Sequence, residues 1–186
     1  PFTNSLPKAM APYEGSTLIA NGIKRLKLNV EYIYITVGYK GAILAKHAID
    51  IGVSGLFDTS GKDNGWWLFN TLMKELDKPI FVLTCDNITQ LDFEMISNEY
   101  FNFGSPAGMI VPVKPIKGIA GDYIFHKGNK IKSLSRNKKS DIYCSGIQVL
   151  NPSKVNKLVK PVDNFYDIWS QLIIKNELYC SNVYPK

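Results

Sequence analysis

The stretch Pro79-Ile80-Phe81-Val82-Leu83-Thr84-Cys85-Asp86-Asn87, continuing as ITQLDF to Phe93, decides how this chain is read. Ile80 to Leu83 have the length and the β-branched or aromatic content of a buried strand, and they stop abruptly at a carboxylate. A carboxylate at the C-terminal edge of such a strand is destabilising unless something pairs with it. Asp86 therefore either caps a turn or helix, or holds a cation. Taken alone, Asp86-Asn87 as a turn or N-cap pair is the ordinary reading.

Outward from that strand, helical and strand patterns take turns. STLIANGIKRLK opens with Ser16 and Thr17 as candidate N-caps and carries Leu18, Ile19, Ile23 and Leu26 near helical spacing. Residues 32–37 (YIYITV) read as a strand, 42–51 as a helix, 53–57 (VSGLF) as a short strand and 65–76 (GWWLFNTLMKEL) as one helix. After the 80–83 strand come a helix over 91–101 and a strand over 108–113 (GMIVPV). The alternation predicts an α/β domain: a Rossmann-like, mostly parallel sheet flanked by helices. Beyond Val113 the pattern changes to two strands around Gly128-Asn129, an inserted antiparallel hairpin, then a strand over 142–150. Helices over 152–159 and 163–174 and a strand over 178–184 complete a single domain.

Composition sets limits on the function. The 186 residues are 45% hydrophobic and 20% charged, enough apolar material for one core. No apolar run approaches the length of a membrane span and no signal-peptide pattern is present, so a cytoplasmic protein with no membrane partner is expected. Cys85, Cys144 and Cys180 have neither disulfide-framework nor zinc spacing and are read as reduced thiols. His47 and His126 lack a ligand constellation, and Asp58, Asp63 and Asp92 fit turn and helix-cap duties. The net charge of +6 suits either nucleic acid or phosphorylated small molecules. Its densest segment, Lys127 to Lys139, has no interleaved aromatic residue, so it reads as a solvated hairpin face with no nucleic-acid partner.

In an open α/β sheet, ligands sit beyond the C-terminal strand ends. Asp86 is at one such end, and Val37-Gly38-Tyr39-Lys40-Gly41 is at another. A hard cation such as Mg²⁺ takes one or two carboxylates and completes its shell with substrate phosphate oxygens.

Four segments in order resemble the sugar-phosphate nucleotidyltransferases, which make nucleotide-activated sugars and related compounds. FVLTCDN is similar to that family's strand-and-aspartate signature. PFTNSLPKAMAPYEGSTLIANGIKRL is similar to its P-K-P-L stretch, YIYITVGYKG to its V-x-G-Y strand and IYCSGIQVLNP to its N-A-G-I-Y strand. The resemblance implies transfer of a nucleoside monophosphate from an NTP to a sugar 1-phosphate, with Mg²⁺ as cofactor. Lys8 falls on the signature lysine that approaches the phosphates, and Asp86 on the metal-binding aspartate. Gly38, Tyr39, Asn64 and Gly65 fall on nucleotide-binding positions, and Asn87, Ser145 and Gly146 on acceptor-binding ones. Where relatives have E-K-P, this chain has Ser135-Arg136, and Arg136 takes the place of the lysine on the acceptor phosphate.

Segments around Trp66, Trp67 and Trp169 are also similar to choline-phosphate cytidylyltransferases, in which case their tryptophans and tyrosines would cage a quaternary ammonium; as a pair early in an amphipathic helix, Trp66 and Trp67 read first as core. The family's glycine-rich loop would precede Pro1, and its second metal-binding aspartate would follow Lys186. The chain by itself is therefore expected to be an inactive nucleotidyltransferase domain lacking both, or a nucleotide-binding or regulatory remnant of one. The sequence leaves a homo-oligomer open.

Overall fold

The structure, a computed structural model, describes residues 2–86, 89–119 and 121–186. Strands β1 (Pro12–Tyr13) and β2 (Ser16–Thr17) make a small hairpin that leads into helix α1 (Leu18–Leu26). Thr17, rather than Ser16, is the N-cap: its hydroxyl accepts from the Ala20 N–H at 3.2 Å, while Ser16 pairs in β2. Strand β3 (Tyr34–Val37), helix α2 (Gly41–Asp50) and strand β4 (Gly55–Asp58) form a βαβ unit with β3 and β4 parallel. This unit and α1 enclose their own cluster of Ala9, Ile19, Ile23, Ile33, Val37 and Leu44.

Residues 65–76 do not form one helix. Helix α3 (Trp67–Asn70) ends at Thr71, whose extended backbone (φ −124°, ψ 176°) breaks the path, and a 3-10 turn follows over Leu72–Glu75. The Thr71 hydroxyl donates to the Trp67 carbonyl and accepts from the Met73 N–H, closing one element and opening the next.

Strands β5 (Ile80–Val82), β6 (Gly108–Val113), β7 (Tyr123–Lys127), β8 (Lys130–Ser135), β9 (Tyr143–Leu150) and β10 (Leu178–Cys180) build the main sheet in the order β5-β9-β6-β10-β8-β7. Helix α4 (Phe93–Asn102) covers one face. Helices α3, α5 (Pro152–Leu158) and α6 (Phe165–Ile174) cover the other. The faces alternate along β6 as a strand requires: Met109 and Val111 face α4, and Ile110 faces the α6 side.

The α/β class and the hairpin at Gly128-Asn129 stand as expected, with Gly128 at φ +56°. The sheet, however, is mixed rather than mostly parallel. Among the described residues only β3–β4 and β6–β10 pair in parallel, because β9 runs antiparallel between β5 and β6. The reading of 80–83 as a buried strand is also corrected. Within its sheet β5 is an edge strand paired with β9, and its side chains are half-buried.

The lysines of the hairpin face solvent or take local partners: Lys130 lies over the Tyr179 ring, and Lys132 donates to Asn176. Among the described residues no helix is long and apolar enough to cross a membrane. His47 shares a hydrogen bond of 2.9 Å with Thr17, His126 bonds the Gly128 carbonyl, and Asp92 caps α4, so these three have local structural duties.

Candidate functional site

Three strands converge on residues 143–146 of β9. β5 runs beside β9 from Ile80 opposite Leu150 to Val82 opposite Gln148, so the turn after it heads toward that stretch. β6 runs the same way and ends with Pro112 opposite Cys144 and Val113 opposite Tyr143. β7 starts there, with Tyr123 opposite Tyr143 and the Cys144 N–H donating to the Asp122 carbonyl at 2.9 Å.

The meeting point is shaped by a break in the ladder. The register jumps between Val111/Ile147 and Pro112/Cys144, where Pro112 has no N–H to continue the pairing. Ser145 and Gly146 bulge at this jump, Gly146 at φ +80°, a conformation that disfavours a side chain. The Ser145 hydroxyl fixes the bulge by donating to the Val111 carbonyl at 2.6 Å and accepting from the Ile147 N–H at 3.0 Å.

Asp86 and Lys8, 78 residues apart, meet at the end of β5: Lys8 Nζ donates to Asp86 Oδ2 at 2.5 Å. Pro7 leads into the 3-10 turn Lys8–Met10, and Ala9 buries itself against α1, which leaves the Lys8 side chain 67% exposed and free to reach across. This hydrogen bond and charge raise the Lys8 pKa above its ordinary value. They hold the Asp86 carboxyl below the ordinary 3.8, against the opposing effect of partial burial, and a hydrogen bond from Thr84 adds to the lowering. Asp86 is thus an ionised, half-open carboxylate with a solvent-exposed cation beside it. Its neighbour Cys85 is exposed, with its thiol pushed up by desolvation and by Asp86.

Past this turn Gln90 and Lys186 exchange backbone hydrogen bonds of 3.1 and 3.0 Å, and the Thr89 hydroxyl donates to the Lys186 carbonyl. Asn87, expected on the acceptor side, lies outside the described residues.

Gly38 and Tyr39 lie at the end of β3. The Tyr39 hydroxyl donates to the Thr3 carbonyl at 3.0 Å, and Lys40, at φ +52°, donates to Asn4, so this turn clasps the N-terminal segment. Gly65 is buried, and a Cβ on it would come within 2.8 Å of Ile168 and 3.1 Å of the Asn164 backbone. Its N–H donates to the Asp163 carbonyl, and the Asn64 side-chain oxygen accepts from the Phe165 N–H at 3.1 Å. Asn64 and Gly65 therefore lock the start of α6, a structural duty visible beside the expected nucleotide role.

Arg136, just past β8, donates from Nε to Asp122 Oδ1 at 2.8 Å, and this bond raises its pKa further. Asp122 is the residue the sequence reading missed. Its signal, a carboxylate just before the first hairpin strand with a cation just after the second, becomes visible only once the hairpin register is known.

Trp67 and Trp169 are buried, with their indole N–H groups on the Asn64 carbonyl and Gln148, so neither is open to cage a cation. Trp66 is half-buried under the Lys62 ammonium.

Among the described residues no three His, Cys, Asp or Glu side chains gather to hold a metal. A single exposed, ionised Asp86 suits a hard cation whose other ligands are water and phosphate oxygens. A surface concavity of about 280 Å³ lies between the turn after α4, helix α5 and the start of β10, and another of about 790 Å³ lies along α4 and the C-terminal segment; neither is lined by Lys8, Asp86, Arg136, Ser145 or Gly146. The strand-end cluster, where motif positions meet, is the better candidate.

No family model matches the chain. It is 21% identical over 98% of its length to a mannose-1-phosphate guanylyltransferase catalytic subunit beta from Drosophila melanogaster. It is 25% identical over 96% of its length to a mannose-1-phosphate guanyltransferase from Debaryomyces hansenii. The chain spans about half the length of these curated relatives, 53% and 54%. Among solved structures it superposes on a protein assigned as a glucose-1-phosphate thymidylyltransferase from Bacillus anthracis with a TM-score of 0.76. That match covers 100% of this chain and 82% of the other at 18% identity. The CTP:phosphocholine cytidylyltransferase of Streptococcus pneumoniae gives 0.71, covering 97% and 82% at 18% identity. The chain is thus similar in sequence to two mannose-1-phosphate guanylyltransferases and shares its fold with solved nucleotidyltransferases.

Proposed function

We propose that the protein carrying this chain transfers a nucleoside monophosphate from an NTP to a sugar 1-phosphate and releases pyrophosphate. The observation that carries this reading is the Lys8–Asp86 pair, in which two motif positions from opposite ends of the fold's first half meet at a strand end. The two curated relatives, both mannose-1-phosphate guanylyltransferases, favour a sugar phosphate as acceptor.

In the reaction the acceptor's phosphate oxygen forms a bond to the α-phosphorus as the bond to the β-phosphate oxygen breaks, and pyrophosphate carries the electron pair away. No enzyme nucleophile is required, and positioning with charge neutralisation provides the catalysis. Mg²⁺ held by Asp86 would supply a Lewis acid shared with the phosphates. Lys8, released from Asp86, turns its ammonium to the triphosphate, where charge spreads in the transition state. Arg136 steadies the acceptor phosphate near the Ser145-Gly146 bulge, whose open backbone admits the sugar. NTPs and sugar phosphates are cytoplasmic metabolites, which is where this activity belongs. The burial of Trp67 and Trp169 takes these two rings out of the aromatic cage that a phosphocholine acceptor would use, while Trp66 and Tyr166 keep part of their surface open.

The test is pyrophosphate release by the intact gene product across four NTPs, hexose 1-phosphates and phosphocholine. Turnover with a hexose 1-phosphate, reduced about 100-fold or more in Asp86→Asn, is the expected result. Turnover confined to phosphocholine, or none with any pair, would overturn the reading.

A further inference from the structure

We infer that Asp122 is the positioning residue of the acceptor site, holding the Arg136 guanidinium by its Nε edge so that both terminal nitrogens point toward the acceptor phosphate. This deepens the proposed function and rests on its placement of Arg136.

The argument starts from the hairpin. Tyr123 pairs with Ser135 at the open end of β7–β8, which sets Asp122 and Arg136 next to each other as the chains leave the sheet. Asp122 is itself fixed: its carbonyl accepts from the Cys144 N–H, and the preceding Gly121 lies against the Tyr143 ring, where a Cβ would come within 2.4 Å. The main chain that carries this carboxylate is therefore anchored one residue from the Ser145-Gly146 bulge. Its side chain is 19% exposed, whereas that of Arg136 is 76% exposed.

That asymmetry separates this pair from an ordinary surface ion pair between two long, mobile chains. A short, anchored acid holds a long, open base. Because Asp122 Oδ1 takes Nε, the Nη1 and Nη2 groups keep the forked geometry that binds a phosphate in two parallel hydrogen bonds. A lysine could not be held and presented in this way, since it has no second edge. This accounts for an arginine being usable where Ser135-Arg136 replaces the lysine motif.

The experiment measures KM for the sugar 1-phosphate and for the NTP separately in the intact protein, with Arg136→Ala, Asp122→Ala and Asp122→Asn. Thermal midpoints and phosphate-induced NMR shifts of the Arg136 side chain, with inorganic phosphate as probe, accompany the kinetics. Asp122→Ala is expected to raise the acceptor KM about 10-fold and leave the NTP KM within about 2-fold. Asp122→Asn, which keeps an oxygen for Nε, should recover part of that loss. If Asp122→Ala does not fold, Asp122→Asn carries the same reading with a smaller shift. An unchanged acceptor KM in both Asp122 variants, while Arg136→Ala raises it, overturns the role of Asp122 alone. An unchanged acceptor KM in Arg136→Ala overturns the placement of Arg136 and this inference with it. Equal changes in both KM values together with a lowered thermal midpoint would make Asp122 a structural residue only.

Discussion

At the scale of single residues, the question posed by a carboxylate at the end of an apolar strand is answered by a lysine from the other side of the chain. Lys8 holds Asp86 Oδ2, so under the proposed function Mg²⁺ at this carboxylate would compete with the lysine for it. Replacing Lys8 with Met should tighten Mn²⁺ binding in the absence of nucleotide while raising the NTP KM about 10-fold, measured by titration calorimetry and initial rates. Equal Mn²⁺ affinity in the two proteins would show that the pair does not compete. The protonation behaviour has a definite sign. The folded-state pKa of Asp86 is depressed, so the stabilisation from the pair is complete above pH 3.8 and is lost as pH falls through the lower folded value. An NMR titration of the Asp86 carboxyl should therefore shift upward in Lys8→Met, and an unmoved midpoint would remove Lys8 as the cause. Asp86 and Lys8 were legible as motif positions. Their contact was not, because nothing in a linear sequence says which of 22 basic residues reaches a given carboxylate. Asp122 was invisible for the same reason.

At the scale of elements, local signals were read well where they depended on neighbours in sequence and poorly where they depended on pairing. Asp92 and Asn164 cap helices that their sequences announce, and Gly128-Asn129 turns the hairpin as its composition requires. By contrast, the apolar run at 80–83 carries no mark of being an edge strand, and Trp66 to Glu75 keeps a helical pattern across the break at Thr71. Two glycines show what the elements demand of the backbone. Gly65 lies so close to the start of α6 that Gly65→Ala should lower unfolding free energy by about 1–3 kcal/mol, read by urea denaturation. Gly146 sits at φ +80° in the β9 bulge, so Gly146→Ala should cost about 1–3 kcal/mol and also raise the acceptor KM. A destabilised Gly146→Ala with an unchanged acceptor KM would make the bulge a feature of the sheet and not of the site.

At the scale of the molecule, the resemblance read from four short motifs extends to a fold shared across the whole chain, though no single motif specified how the sheet is divided. Among the described residues no strand pairing joins β1–β4 to the six-stranded sheet, and the cluster around Ile19, Ile23 and Leu44 is separate from the two clusters of the main sheet. Phe57 packs against the main core, and the Lys8–Asp86 pair ties the two parts at the strand ends. Such a division lets the smaller part open locally at a lower free energy than global unfolding. Amides of β3 and β4 should therefore exchange hydrogen faster than those of β6 and β9, and Lys8→Met should accelerate β3 and β4 selectively. If Lys8 and Asp86 bind the nucleotide as proposed, a nucleotide added with Mg²⁺ would link the same two parts, so it should slow exchange in β3 and β4 more than elsewhere. Uniform protection across both parts, with and without nucleotide, would mean that the Phe57 contact already makes them one cooperative unit and that ligand binding has no opening to close.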